Sequence, residues 1–317
     1  MTSLVVATLF GLLASFLFAL AAYLQQKAAR ETHPHGHTIL DGAVALMATL
    51  LRHKVWLLGW AVNIVGFGAQ AVGLHLGSVA AVQPLLATQL LFALPMSSLE
   101  NKRWPRLRDW GSALAICAGL VILLIVVHAT PLQGNADRTG ILIAAAAVLV
   151  TIAILVPVSL RVSRRLMAVV SAACAGLCFA MTAVFLTLTG NDLVNHGILY
   201  TATDWVGYAL AASTLLGLVL EQIAFANGPL PWAVATKESV NPIASYAVGV
   251  LVFPVSLAAS TGTLAGIAGA GALLVVGAIG LAESPSSELW RQRDEALPDG
   301  TEGRSGGGEG HATAPAH

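Results

Sequence analysis

An all-α, polytopic membrane bundle is the fold class this sequence predicts, and three observations predict it. Of 317 residues, 56% are hydrophobic and only 10% charged, whereas soluble domains carry about 25% charged residues. The mean hydropathy is +0.78. Apolar runs long enough to cross a bilayer as helices recur along most of the chain. The charges gather between those runs, so a formal net charge of +0 says little about partners.

The first run, MTSLVVATLFGLLASFLFALAAYLQQK, lacks a basic leader region and exceeds the length of a signal-peptide core. It reads as a retained span at 4–26. The segment TILDGAVALMATLLRH at 38–53 is short and carries Asp41. It reads either as a tilted or interfacial helix or as an extra span. Further spans are expected at 55–76, 78–99, 109–129, 139–160, 165–188, 204–226, 230–252 and 263–282. The total is nine to ten transmembrane helices. After Glu283 the chain turns rich in Gly, Pro and charge and has little to bury, so 284–317 is expected to be a disordered tail.

Lys and Arg set the expected orientation. Arg52 and Lys54 flank one loop, Lys102, Arg103, Arg106 and Arg108 fill another, and Arg161, Arg164 and Arg165 a third. The alternate loops hold Arg138 or no basic residue. The basic loops and the C-terminus are therefore expected on the cytoplasmic face of the plasma (inner) membrane. The N-terminus joins them only if 38–53 crosses.

Shifted by 152 residues, the chain matches itself weakly: Gln70 falls on Gln222, Ala81 on Ala233 and Val82 on Val234, with Gly77 and Pro229 as turns between. The implied plan is two inverted repeats of about five helices, at 1–130 and 139–283, an arrangement that many carriers use to frame a central site.

Lys237 and Glu238 stand inside an apolar run, and Glu221 is similarly deep. Each would cost roughly 2.5–3.5 kcal/mol at mid-bilayer if it faced lipid, so all three are expected to face protein or water. Adjacent helical residues point about 100° apart, which argues against Lys237 pairing with Glu238. Glu221 lies eight residues before Pro229 and Lys237 eight after it, about 12 Å along each helix. Equal depth on two antiparallel arms predicts a Glu221–Lys237 ion pair and leaves Glu238 as the spare carboxylate. Such a group either holds the hairpin together or borders a substrate or proton site. Gln222, Asn241 and Ser245 extend the polar surface, and Pro242 frees a carbonyl. In the first half, Gln70 and Gln83 flank the turn at Gly77–Ser78, and Asn63 lies on the same helix as Gly66, Gln70 and Gly73. Small residues at that spacing permit close helix contact, and amides can either bond neighbours or line a cavity.

Other features carry less. Cys117, Cys174 and Cys178 fall in apolar runs and read as small packing residues. The HPHGH stretch at 33–37 reads as a solvated turn, and Gly262-x-x-x-Gly266 as a packing face, within the chain or in a homodimer. No P-loop, nucleotide fingerprint, HExxH or GxSxG occurs. No catalytic residue, enzyme activity, cofactor or nucleic-acid partner is assigned. The expected partners are the lipid bilayer and a small solute or ion.

The stretch WLLGWAVNIVGFGAQAVGLHLGSVAAVQPLLATQLLFALPMSSLENKRWPRLRDWGSALAICAGLVILL resembles the first repeat of the drug/metabolite transporter (EamA-like) superfamily, with Glu100 and Gly111 at its punctuation points. The Trp–Gly start of that stretch and the VQPL at 82–85 are similar to NIPA-type magnesium transporters, and LEQIAFANGPLPWAVATKESVNPIASY resembles the second-half hairpin. The resemblance implies an inverted-repeat secondary transporter that moves a small solute across the plasma membrane with ion or proton coupling, with magnesium or another divalent cation as the alternative. Two departures weigh against magnesium: the second repeat has no counterpart of Glu100, and an ammonium beside the deep carboxylates repels a divalent cation. A non-transporting membrane partner or sensor that works through its tail is the third class.

Overall fold

The structure, a computed structural model, describes residues 2–32, 39–76, 79–101, 104–128, 138–160, 162–252 and 261–282. Among them are eleven helices and no strand: α1 (Thr2–Glu31), α2 (Ile39–Leu50), α3 (Lys54–Leu76), α4 (Val79–Leu86), α5 (Gln89–Asn101), α6 (Leu107–His128), α7 (Arg138–Leu160), α8 (Arg164–Thr203), α9 (Trp205–Asn227), α10 (Leu230–Val252) and α11 (Thr261–Ala282). Six of them, within α1, α3, α6, α7, α8 and α9, are long and apolar enough to cross a membrane. Outward-facing Leu58, Ile64, Val65, Ile143, Leu186 and Val276 are more than half exposed, as expected of helices that face lipid. The expectations for the HPHGH turn, the Gly77–Ser78 turn and the tail fall outside the described residues, as do the side chains of Asp41, Gln83 and Glu100.

Small residues set the packing. α1 lies along α3, α8 along α9, and α6 along α11. A methyl group on Gly66 would come within 2.8 Å of the Phe18 ring of α1, and one on Gly277 within 2.7 Å of the Ser112 carbonyl of α6. Side chains at these points would hold the helices apart. Gly266 meets Val126 of α6, so this half of the Gly-x-x-x-Gly face packs within the chain. α10 has the widest set of neighbours, with α8 first and α5, α7, α11, α6, α1 and α9 after it.

Three expectations need correction. The expected span 78–99 is two helices broken at Ala87–Thr88. Pro84 supplies no backbone donor to the ladder, and the Thr88 hydroxyl takes the Leu85 carbonyl at 2.6 Å, competing with helix continuation. The Cys117 thiol of α6 bonds the Ala87 carbonyl at 3.1 Å, and Ser15 of α1 bonds Thr88 at 2.9 Å. The break thus finds partners on two neighbouring helices, its backbone at Cys117 and the Thr88 hydroxyl at Ser15, and Cys117 does more than fill space.

The second correction concerns α8, which continues to Thr203 rather than ending near 188, bending at Gly197 with φ 82 and ψ 176. That backbone conformation is open essentially to glycine alone. Asp204 then closes α8 by donating its N–H to the Tyr200 carbonyl and opens α9 by accepting from the Trp205 N–H at 2.9 Å. Arg138, at the start of α7, approaches Asp204 at 3.3 Å and Asp192 at 3.9 Å.

The third is α1, which runs past 26 to Glu31. His53 lies 3.3 Å from Glu31, so α1 ends and α3 begins at the same end of the molecule. The intervening α2 has 12 residues, about 18 Å of helix, short of a hydrocarbon core about 30 Å thick.

Candidate functional site

The α9–α10 hairpin turns at Gly228–Pro229, and the turn is buried rather than perched at the surface. Gln26 of α1 donates to the Gly228 carbonyl at 2.7 Å. The Trp232 indole donates to the Leu281 carbonyl of α11 at 3.0 Å, and the Arg165 guanidinium lies 5.8 Å from the Trp232 ring centroid. Helices from both ends of the sequence therefore enclose the tip.

From this anchored tip the charged residues are placed by helix rise alone. Glu221 lies six residues before the end of α9 and Lys237 seven after the start of α10, about 9 and 10 Å along their axes. Lys237 Nζ donates to Glu221 Oε1 at 2.7 Å, the pairing expected from equal spacing about the turn. Lys237 Nζ also stands 3.1 Å from Glu238 Oε1. That contact corrects the reading of Glu238 as a spare carboxylate. The 100° separation of adjacent residues governs Cβ directions, but the long, flexible lysine stem lets its ammonium reach back to its neighbour. The Phe179 ring of α8 lies 5.8 Å from the ammonium.

The site is thus one cation shared by two anions, with a net charge of −1. Side-chain exposures are 12% for Glu221, 17% for Lys237 and 34% for Glu238, so Glu238 is the most open of the three. The arms of the hairpin touch each other sparsely, and α8 packs on both. Gly176 of α8 makes this possible: a Cβ there would lie 3.0 Å from the Lys237 carbonyl and from Val240 Cβ. Gly176→Val is therefore expected to push α10 off α8 and cost about 1–3 kcal/mol of stability, measured by thermal unfolding in detergent. A shift no larger than that of Ala at exposed Gly190 would show that the close approach is dispensable.

The other expected site residues scatter. Asn241 accepts a bond from Ser245 at 3.3 Å, one turn along α10 from the charges. Gln222 points away from them and is fully buried, its Oε1 accepting from Trp56 Nε1 at 3.0 Å and its Nε2 donating to Gln25 Oε1 at 2.9 Å. Both ends of this amide are held by the first half of the chain. Asn63 and Gln70 are half-buried on α3, whose main neighbour is α1. Among the described residues, no hydrogen bond or ion pair joins either of them to Glu221, Lys237 or Glu238. Sequence reasoning missed Gln25, Gln26 and Trp56, which hold α9 and its turn. The available signal was a Gln-Gln pair interrupting an apolar helix. The break at Ala87–Thr88 was missed as well, although Pro84 and Pro95 bracket it.

No family model matches the chain, and no solved structure matches it. The chain is 27% identical, over 259 residues, to an uncharacterized protein of Corynebacterium glutamicum, the alignment covering 80% of this chain and 86% of that protein.

Proposed function

We propose that the chain is a multi-pass secondary transporter of the drug/metabolite kind in the plasma (inner) membrane, with Glu221, Lys237 and Glu238 at its substrate or proton site. One observation carries this reading: an ammonium lies 2.7 and 3.1 Å from two carboxylates inside a bundle of apolar helices. Ionisable groups within membrane helices are costly and mark substrate or proton paths by default. Lys237 compensates Glu221, the less exposed partner, and Glu238 is the carboxylate open to exchange, binding either a proton or a solute cation in turn.

The helix plan supports a carrier. Counting α4 and α5 as one crossing and α2 as none gives nine crossings, with the N-terminus outside and the basic loops and C-terminus inside. The 152-residue shift carries α3 onto 206–228, α4–α5 onto 231–253 and α6 onto 259–280, beside α9, α10 and α11. Matched helices then run in opposite directions, as inverted repeats require, and α7 has no counterpart. The discontinuous α4–α5 is also in keeping with carriers, whose sites commonly include interrupted helices.

Magnesium is the weaker alternative. The ion prefers oxygen ligands and keeps its waters, while both carboxylates here already face an ammonium. Among the described residues no group of three His, Cys, Asp or Glu side chains is spaced to hold a metal. Glu238→Gln is expected to abolish gradient-driven flux in proteoliposomes with the thermal midpoint unchanged. Flux at the wild-type rate would remove Glu238 from the mechanism, and Mg²⁺ uptake lost in the same variant would favour the alternative.

A further inference from the structure

Polar side chains recur along the seam between α8 and α9, beyond the charged residues. Thr214, Gly217 and Glu221 follow one another at spacings of three and four on α9, so they share one face of that helix. α8 packs along α9 and meets its start at Asp204, so the two run in opposite directions. Two turns from Glu221, about 10 Å toward the start of α9, Thr182 of α8 lies 3.0 Å from Ser213 Oγ and 3.3 Å from Thr214 Oγ1. All three side chains are half-buried.

These hydroxyls meet more acceptors than they have protons. Thr182 Oγ1 also lies 2.9 Å from the Cys178 carbonyl oxygen, and Ser213 Oγ and Thr214 Oγ1 lie 3.1 and 2.7 Å from that of Leu210. Five approaches between oxygens therefore share three hydroxyl protons. At least two of them lack a hydrogen of their own, which is costly inside an apolar bundle unless a guest supplies it. Water and hydronium both carry hydrogens to give.

An aromatic ring separates this cluster from the charges. Phe179 precedes Thr182 by one turn of α8, and a Cβ on Gly217 would lie 3.1 Å from its ring. The same ring is 5.8 Å from Lys237 Nζ. Along α9, Gly217 stands about 6 Å from Glu221 and about 4.5 Å from Thr214, so the ring occupies the level between them. A side chain at position 217 would take the space that the ring fills.

We propose that Thr182, Ser213 and Thr214 form a hydrated relay on the outward route to Glu221 and Glu238, with water or hydronium as its guest, and that Phe179 is the barrier between relay and site. This deepens the carrier reading and rests on it. Each hydroxyl oxygen accepts a proton as it releases its own, so the relay is chemically unchanged by a passage. With no carboxylate in the cluster, it suits a proton or water better than a divalent cation.

The test reads thiol access, which needs no flux. Ser213→Cys and Thr214→Cys are made in the full-length chain and treated, in membrane vesicles of either orientation, with a charged methanethiosulfonate that does not cross lipid. The native cysteines are buried and give the baseline. Leu215→Cys, at a residue 63% exposed, reports the lipid face of α9. Only the thiolate reacts and hydrocarbon keeps a thiol protonated, so Ser213→Cys and Thr214→Cys are expected to react from the outer face about tenfold faster than Leu215→Cys, or more. Phe179→Ala is expected to open native Cys178, which packs on Gly217 beside the ring, to the same reagent. Phe179→Leu, which keeps more of the packing, repeats that measurement if the alanine variant unfolds. Relay variants that react no faster than Leu215→Cys, or only from the inner face, would overturn the relay. Cys178 unreactive in a folded Phe179 variant would overturn the barrier. Either failure leaves the flux lost in Glu238→Gln, and with it the carrier reading, standing.

Discussion

Replacing Lys237 by Met is expected to destabilise the protein by about 3–5 kcal/mol, the cost of breaking a buried ion pair from one side. Methionine keeps most of the stem's volume, so the loss comes from charge rather than packing. Glu221, 12% exposed, would be left without its 2.7 Å donor, and Glu238 without its 3.1 Å neighbour. Unfolding of the detergent-purified variant by heat or denaturant measures the loss. The double variant Lys237→Met, Glu221→Gln is expected to recover much of it, because no uncompensated charge then remains at the deeper position. The coupling between these two sites, taken from the cycle of single and double variants, isolates the pair from everything else each residue touches. A single variant as stable as the wild type would mean that water, not lysine, neutralises Glu221.

The second large effect is expected at Gln222. Its amide joins Trp56 and Gln25, all three side chains being buried. Gln222→Ala leaves the indole donor and the Gln25 carbonyl oxygen without partners, at about 1–3 kcal/mol for each orphaned group. Because Trp56 and Gln25 belong to α3 and α1, the damage should appear as loosened docking of α9 on the first half. Faster hydrogen exchange in α1 and α3, with α10 unaffected, is the expected signature. Unchanged exchange there would mean that apolar packing alone joins the halves.

How much of this was legible follows from the distance over which each feature acts. The all-helical class and the place of most apolar helices are local, since runs such as 139–160 are too apolar for any other element. The Glu221–Lys237 pair could be found by counting, because a tight turn fixes depth on both arms. The Gly66 and Gly73 face could be read as a packing surface from its spacing. Gln25 and Gln26 could not be read so, as their partners lie 197 and 202 residues away. The second contact of Lys237 was lost to an argument about Cβ directions that ignored the length of the side chain. The break in 78–99 arises from a hydroxyl competing for a carbonyl, which hydropathy does not register. The kink at Gly197 that carries α8 on to Thr203 is a single backbone conformation, invisible in composition.

The enclosed hairpin tip has a consequence for biogenesis. Gly228 is bonded by an amide from α1 and Trp232 by a carbonyl at the end of α11. During synthesis the ribosome must deliver the chain as far as Leu281 before the indole acquires its acceptor. The tip around Trp232 therefore gains its last bond only after the final helix has been made. Closure of the hairpin tip is a late, whole-chain event, whereas the Glu221–Lys237 pair needs only the hairpin's own two helices.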